Sequence, residues 1–361
     1  MPGRGGPTAA PPLLFRSIAA FEKNNRVPID IFNHFTPQKV YETFRTLAPD
    51  NPGIKAFASL PALWKLDARL KLMEQFPGHQ HVLSLSNPPL ELLAGPDRSP
   101  DLARLANDEL ANVCAKHPNL FPTFTASMPA NNPDAAIREA ERAITTLGAR
   151  GIQLFTNVNG KPLSLPEYFP IFEYMAEKDL PIWVHPMRGP HFSDYAAEDH
   201  SENEIWFTFG WPYETSACMA RLIFSGLFDR LPELKIITHH YGGMIPFFAE
   251  KIALGFQQIF FGTPDRNPLA ERAGLKKPLL DYFRMLYADT AVNGSAAAAL
   301  CGHSFFGTEH SLFATDAPFD SLGGKQLMQG TVEAVNALPI GDAEKARIFE
   351  GNARRLLKLE R

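Results

Sequence analysis

Short apolar runs rich in β-branched residues recur along the chain, each ending in a polar or prolyl position and followed by a stretch of helical period. The first covers residues 27–35 (VPIDIFNHF), opens beside a proline and runs into Thr36-Pro37. Strand side chains alternate, so Asp30, Phe32 and His34 share one face and Ile29, Ile31 and Asn33 the other. Runs at 81–86, 120–127, 149–155, 180–185, 234–238, 285–290 and 311–315 read as further strands. Helical patterns cover 67–76 (Leu70, Leu72 and Met73 inward), 100–116, 134–147, 166–178, 213–228, a start near 244, 295–301, 329–338 and 342–359. The proline-rich stretch 37–66 and the polar stretch 186–205 have no clean period and read as long loops over one end of the sheet.

Short buried strands, each followed by a helix, predict an α/β fold and specifically a (β/α)8 TIM barrel. A doubly wound open sheet is the main competitor, but no GxGxxG follows the first strand. Residues 1–26 read as a Gly/Pro-rich N-terminal tail with a short leading helix, and 27–361 as one barrel domain. The length of 361 residues accommodates it.

Composition narrows the partners. With 45% hydrophobic and 20% charged residues and a formal net charge of −4, the chain reads as soluble and globular, and no basic block points to nucleic acid. No apolar run approaches the roughly 18 residues of a membrane span, and Pro11 to Phe15 is too short and proline-rich for a signal-peptide core. Cys114, Cys218 and Cys301 are scattered, without a CxxC, so neither a disulfide framework nor a cysteine zinc site is expected, and the cytoplasm is the expected compartment. The 28 Phe and four Trp could line an apolar pocket as well as a core.

In a TIM barrel the active site lies at the carboxyl ends of the strands. The polar residues read at those ends are Asp30 and His34 on the first strand, His185 on the fifth, His239 and His240 on the sixth, Asp289 on the seventh and Asp316 on the eighth. Any one alone is more often a cap or a loop anchor. Together they place imidazoles and carboxylates around one point, the residue types that hold a divalent metal and move protons.

The words IDIFNHF, IWVHP, ETSACMARLIFSGLFDRLPELKIITHHYGG, LFATDAPF and GNARRLL resemble the amidohydrolase superfamily. The resemblance is to the branch of aminocarboxymuconate-semialdehyde decarboxylase and the γ-resorcylate and 5-carboxyvanillate decarboxylases, and it runs from about Val27 to Leu359. It implies a barrel of the metal-dependent hydrolase type, one divalent metal (zinc first, manganese second), and a place in aromatic catabolism. It also implies metal ligands at His34, His185 and Asp316, and proton transfer by His240 with Asp316 as the other acid candidate. The first strand of such proteins carries His-x-His or Glu-x-His, and here the first of those positions is Phe32, which cannot bind a metal. Three ligands with an open position would still make a catalytic site, and His191, His239 or a water could fill the gap.

Around the metal, Arg188 is the candidate counter-charge for a substrate carboxylate. Trp211 and Glu214 are candidates for the pocket lining, or else anchors of a helix start. Phe32 is expected as an apolar wall suited to an aromatic substrate. The expected activity is a metal-dependent, non-oxidative decarboxylase of an aromatic or muconate-like carboxylic acid, with a homodimer as the expected assembly. A lactone or amide hydrolase, a hydratase, and a metal-free binding protein that kept the fold stand as alternatives.

Overall fold

The computed structural model describes residues 28–255 and 274–360. The tail and leading helix expected over 1–26 lie outside the described residues.

Among the described residues, eight parallel strand segments form the wall: β1 (Ile29–His34), β2 (Gln80–Ser84), β3 (Ala126–Ser127), β4 (Ile152–Phe155), β5 (Ile182–His185), β6 (Ile236–Thr238), β7 (Tyr287–Asp289) and β8 (Ser311–Leu312). β1 pairs with β2, and β3 to β8 pair in sequence order. Two seams join these sheets. Between β2 and β3, Leu83 N donates to Thr123 O and Thr125 N to Leu83 O. Between β8 and β1, Ile31 N donates to Phe313 O, Asp316 N to Phe32 O and His34 N to Ala317 O, at 2.8–3.0 Å. The ring is closed, as a barrel requires.

The strands divide their side chains between two cores. Phe32, Val82, Trp183, Ile237 and Leu312 fill the barrel interior, while Val184, Ile236, Ala288 and Phe313 face the surrounding helices. Period-two alternation then sends His185, His239, Asp289 and Asp316 inward at the carboxyl ends. The largest interior residue, Trp183, donates its Nε1–H to Ile31 O at 3.0 Å, so the indole is satisfied as well as buried.

Several elements differ from the sequence reading. Residues 37–66, expected as loop, fold into helices Gln38–Leu47, Pro52–Ala56 and Pro61–Trp64; Val40, Tyr41 and Phe44 form the buried face of the first, and prolines open the others. The third expected strand shrinks to Ala126–Ser127 plus a bridge at Phe124, because Pro122 in its first half has no N–H to give. In the helix Leu66–Met73 the buried positions are Arg69, Leu72 and Met73; Leu70 is only half-buried. The helix expected near 244 begins at Ala249. Among the described residues no helix is long and apolar enough to cross a membrane.

Candidate metal and active site

β1, β5 and β6 bring three imidazoles together at the carboxyl end of the barrel. His34, His185 and His239 are buried, and one ring nitrogen of each lies within 4.8 Å of the others. Each ring is oriented through Nδ1. His34 Nδ1 faces Leu85 O and Ser84 Oγ, both at 3.3 Å, His185 Nδ1 faces Pro186 O at 2.7 Å, and His239 Nδ1 meets Asp289 Oδ2 at 2.5 Å. In the neutral ring an acceptor at Nδ1 keeps the proton there and leaves the lone pair on Nε2, the arrangement found behind metal-bound histidines.

Asp316 closes the group. Its Oδ1 lies 3.1 Å from His34 Nε2 and 3.6 Å from His239 Nε2, and its Oδ2 lies 3.6 Å from His240 Nε2. Yet Nε2 of His34 and of His239 are buried and make no hydrogen bond. Donors held 2.0–2.1 Å from one zinc sit about 3.3 Å from each other, so these separations suit atoms that share a cation. A divalent metal fits the residues present.

The backbone is bent to the purpose at both supplying turns. Asp316 has φ 61°, and His240 and Tyr241 have φ 53° and 49°, left-handed values that cost non-glycine residues free energy and cluster at functional sites. Gly243 (φ 63°) lets the turn after β6 settle on the helix Gly210–Phe224; a Cβ there would meet Pro212 O at 2.5 Å. Asp289 serves the same turn twice, since Oδ1 accepts from His240 N while Oδ2 holds His239.

The charges follow from these contacts. Burial pushes the Asp316 carboxyl up, but His239, His240 and His34 together carry it well below the usual carboxylate range, so it is ionised. Burial, reinforced by His34 and His239, holds His185 well below the imidazole range. His240 is lowered by burial and by His239. Burial also acts against a charged His239, but Asp289 and then Asp316 outweigh it and lift its pKa to about 9.

Arg188, Trp211 and Glu214 form a group beside the imidazoles. Arg188 Nη1 pairs with Glu214 at 3.0 Å, Trp211 Nε1 donates to Arg188 O at 3.2 Å, and the indole meets the His185 ring edge-on at 5.3 Å. Burial raises the Glu214 carboxyl and Arg188 opposes it. Arg188 therefore already has a carboxylate partner. It also lines a cleft of about 230 Å³ with Glu91, Asn157, His191 and Phe192. His191 stacks on Phe192 there and does not join the imidazole cluster.

Phe32 has no accessible surface. Its ring lies 4.2 Å from that of His239, 5.2 Å from His34 and 5.7 Å from His185, so it supports the imidazoles from within the barrel and offers no wall to the mouth. Asp30, read at a strand end, is the second residue of β1 and accepts from Thr315 Oγ1 at 2.5 Å, away from the cluster. Sequence reasoning missed Arg69. It is fully buried under the site and donates to the carbonyls of Ala62 and His34 and to Asn33 Oδ1; its position inside an apolar helical face gave no signal.

Comparison with known proteins agrees with this geometry. Residues 29–359 match the amidohydrolase family. The chain is 32% identical over 305 residues to γ-resorcylate decarboxylase of Rhizobium sp. (strain MTP-10005), covering 81% of this chain and 87% of that one. It is 30% identical over 304 residues to 2-amino-3-carboxymuconate-6-semialdehyde decarboxylase of Dictyostelium discoideum, covering 82% and 77%. Among solved structures, dihydroxybenzoic acid decarboxylase of Polaromonas sp. JS666, with bound manganese and the inhibitor 2-nitroresorcinol, superposes with a TM-score of 0.77 at 28% identity over 93% of this chain and 98% of that one. A closed barrel whose strand ends gather histidines around an ionised aspartate, matched along nearly its whole described length, belongs to the amidohydrolase family, in the branch of its metal-dependent, non-oxidative decarboxylases.

Proposed function

We propose that the protein removes the carboxyl group of a hydroxylated benzoic acid, with His34, His185 and Asp316 holding one divalent cation and His240 managing the proton. The observation that carries this reading is the buried, unbonded His34 Nε2 lying 3.1 Å from the ionised Asp316, with a His185 ring nitrogen within 4.8 Å of the same imidazole. Imidazole donors suit zinc, and the Polaromonas relative carries manganese, so both belong in a reconstitution series. Held by His34, His185 and Asp316, a divalent cation would supply Lewis-acid polarisation of a substrate oxygen.

The remaining work falls to side chains. Loss of CO2 requires a proton on the ring carbon that bears the carboxylate; the C–C bond then breaks, its electrons return to the ring and CO2 departs. His240, partly exposed and with Nε2 3.6 Å from the ionised Asp316 Oδ2, is placed to take that proton from solvent and pass it to the ring carbon. Arg188, fixed by Glu214 through one nitrogen, has further N–H groups to offer a substrate carboxylate. Trp211 packs against His185 and screens the site from water.

The test is CO2 release from 2,6-dihydroxybenzoate and its hydroxybenzoate analogues by protein stripped of metal and reloaded with zinc or manganese. Turnover should need the metal and disappear in His185→Ala and Asp316→Ala, both of which should also lose the metal. Metal-loaded protein that releases no CO2 from any of these acids, or that incorporates solvent oxygen into a product instead, would refute the decarboxylase reading.

A further inference from the structure

We infer that His239 is itself a metal ligand, taking the place that β1 gives up at Phe32, and that Asp289 is the residue that positions it. The inference rests on the metal-centre reading above and extends it from three protein ligands to four.

His239 is fully buried, and its Nδ1 is committed to Asp289 Oδ2 at 2.5 Å. Its Nε2 points into the cluster and has no hydrogen bond. A core histidine kept for packing would give that nitrogen a hydrogen-bond partner, because a buried polar atom without one costs about 1–3 kcal/mol. Here Asp316 Oδ1 is 3.6 Å away, too far for a hydrogen bond but suited to two donors around one cation. The same Asp316 oxygen lies 3.1 Å from His34 Nε2, and the donor nitrogens of His34, His185 and His239 fall within 4.8 Å of each other.

Phe32 and His239 occupy adjoining space. Their ring centroids are 4.2 Å apart, so the phenyl group fills the barrel under the imidazole and holds it toward the strand ends. The ligand deleted on β1 is thus made good from β6. Asp289 fixes the tautomer, since a carboxylate at Nδ1 requires the proton there and leaves Nε2 as the donor atom. His240, one residue on, groups with His239 and Asp316 but not with His34 and His185, and its partly exposed side chain keeps the proton-transfer role assigned above.

X-ray absorption of the zinc-loaded wild-type protein gives the decisive readout, because it counts imidazoles without any substitution. Three are expected, and the same count in His240→Ala. Metal titration of stripped protein should show His239→Ala weakened by at least roughly tenfold, with Asp289→Asn weakened by roughly 10–100-fold although every ligand is retained. One equivalent of zinc held by two imidazoles, or unchanged affinity in folded His239→Ala, overturns this inference and leaves the three-ligand centre standing. Wild-type protein that takes up no zinc or manganese overturns both. If His239→Ala fails to fold, the wild-type spectrum decides alone.

Discussion

Glu91 shows what burial does to a single side chain. It is almost fully enclosed, one of its carboxyl oxygens has no partner, and burial lifts its pKa from 4.5 to about 7 against a weak opposing bond from its own backbone N–H. The folded state therefore holds a proton that the unfolded chain has lost between pH 4.5 and about 7, so stability falls as pH rises through that window and stays lower above it. The size is on the order of 3 kcal/mol. Glu91→Gln, which keeps the shape and removes the charge, should be more stable than wild type at pH 8 and nearly equal to it at pH 4.5, as read from urea midpoints at the two values. An equal difference at both would mean the carboxyl is not charging in place. At this scale the sequence was legible where a residue type has few uses: His34, His185 and Asp316 do gather at one end. It was less legible for Phe32 and Arg69, because pattern alone does not say whether a side chain enters the mouth or the packing beneath it. A signal for His239 was present. Alternation from the interior Ile237 sends residue 239, and not 240, into the barrel.

At the scale of elements, the placement of Asp316 depends on how β1 meets β8. The Asp30 carboxylate accepts from Thr315 Oγ1, Thr315 N and Phe32 N, which ties the inner half of β1 to the residue just before Asp316. The Thr315 hydroxyl also accepts from Ala317 N, so one side chain braces both flanks of the left-handed turn. Thr315→Val keeps the shape and removes the donor from a buried carboxyl. It should cost about 1–3 kcal/mol in denaturant unfolding and weaken metal binding as the turn relaxes. Unchanged stability and affinity would show that the backbone seam alone sets the turn. All eight strands could be found in the sequence because each is a short apolar run, but their ends could not, since pairing partners and not composition decide where a ladder stops. The helices of 38–64 were missed for a related reason. Prolines that open short helices look, in sequence, like prolines that prevent them.

At the scale of the molecule, the fold was legible because a barrel repeats one unit, whereas the substrate was not, because the segments over the mouth follow no repeating rule. The same closure that makes the barrel rigid also crowds His34, His185, His239 and Asp316 at a few ångströms, with two buried nitrogens unbonded. Such a site is costly without an ion and is relieved by one, so metal should bind the folded chain far better than the unfolded one. At free metal one hundred times its dissociation constant, the gain is about 2.7 kcal/mol. For 361 residues, the usual entropy of unfolding per residue converts this to a melting temperature about 4 °C higher. Calorimetry of stripped and zinc- or manganese-loaded protein measures it directly. The shift should grow with the logarithm of metal concentration and vanish in Asp316→Ala, which removes the charged donor while leaving the barrel seam of Asp316 N to Phe32 O available. A metal-dependent shift that survives in Asp316→Ala would place the stabilising ion elsewhere and dissociate the strand-end cluster from metal binding.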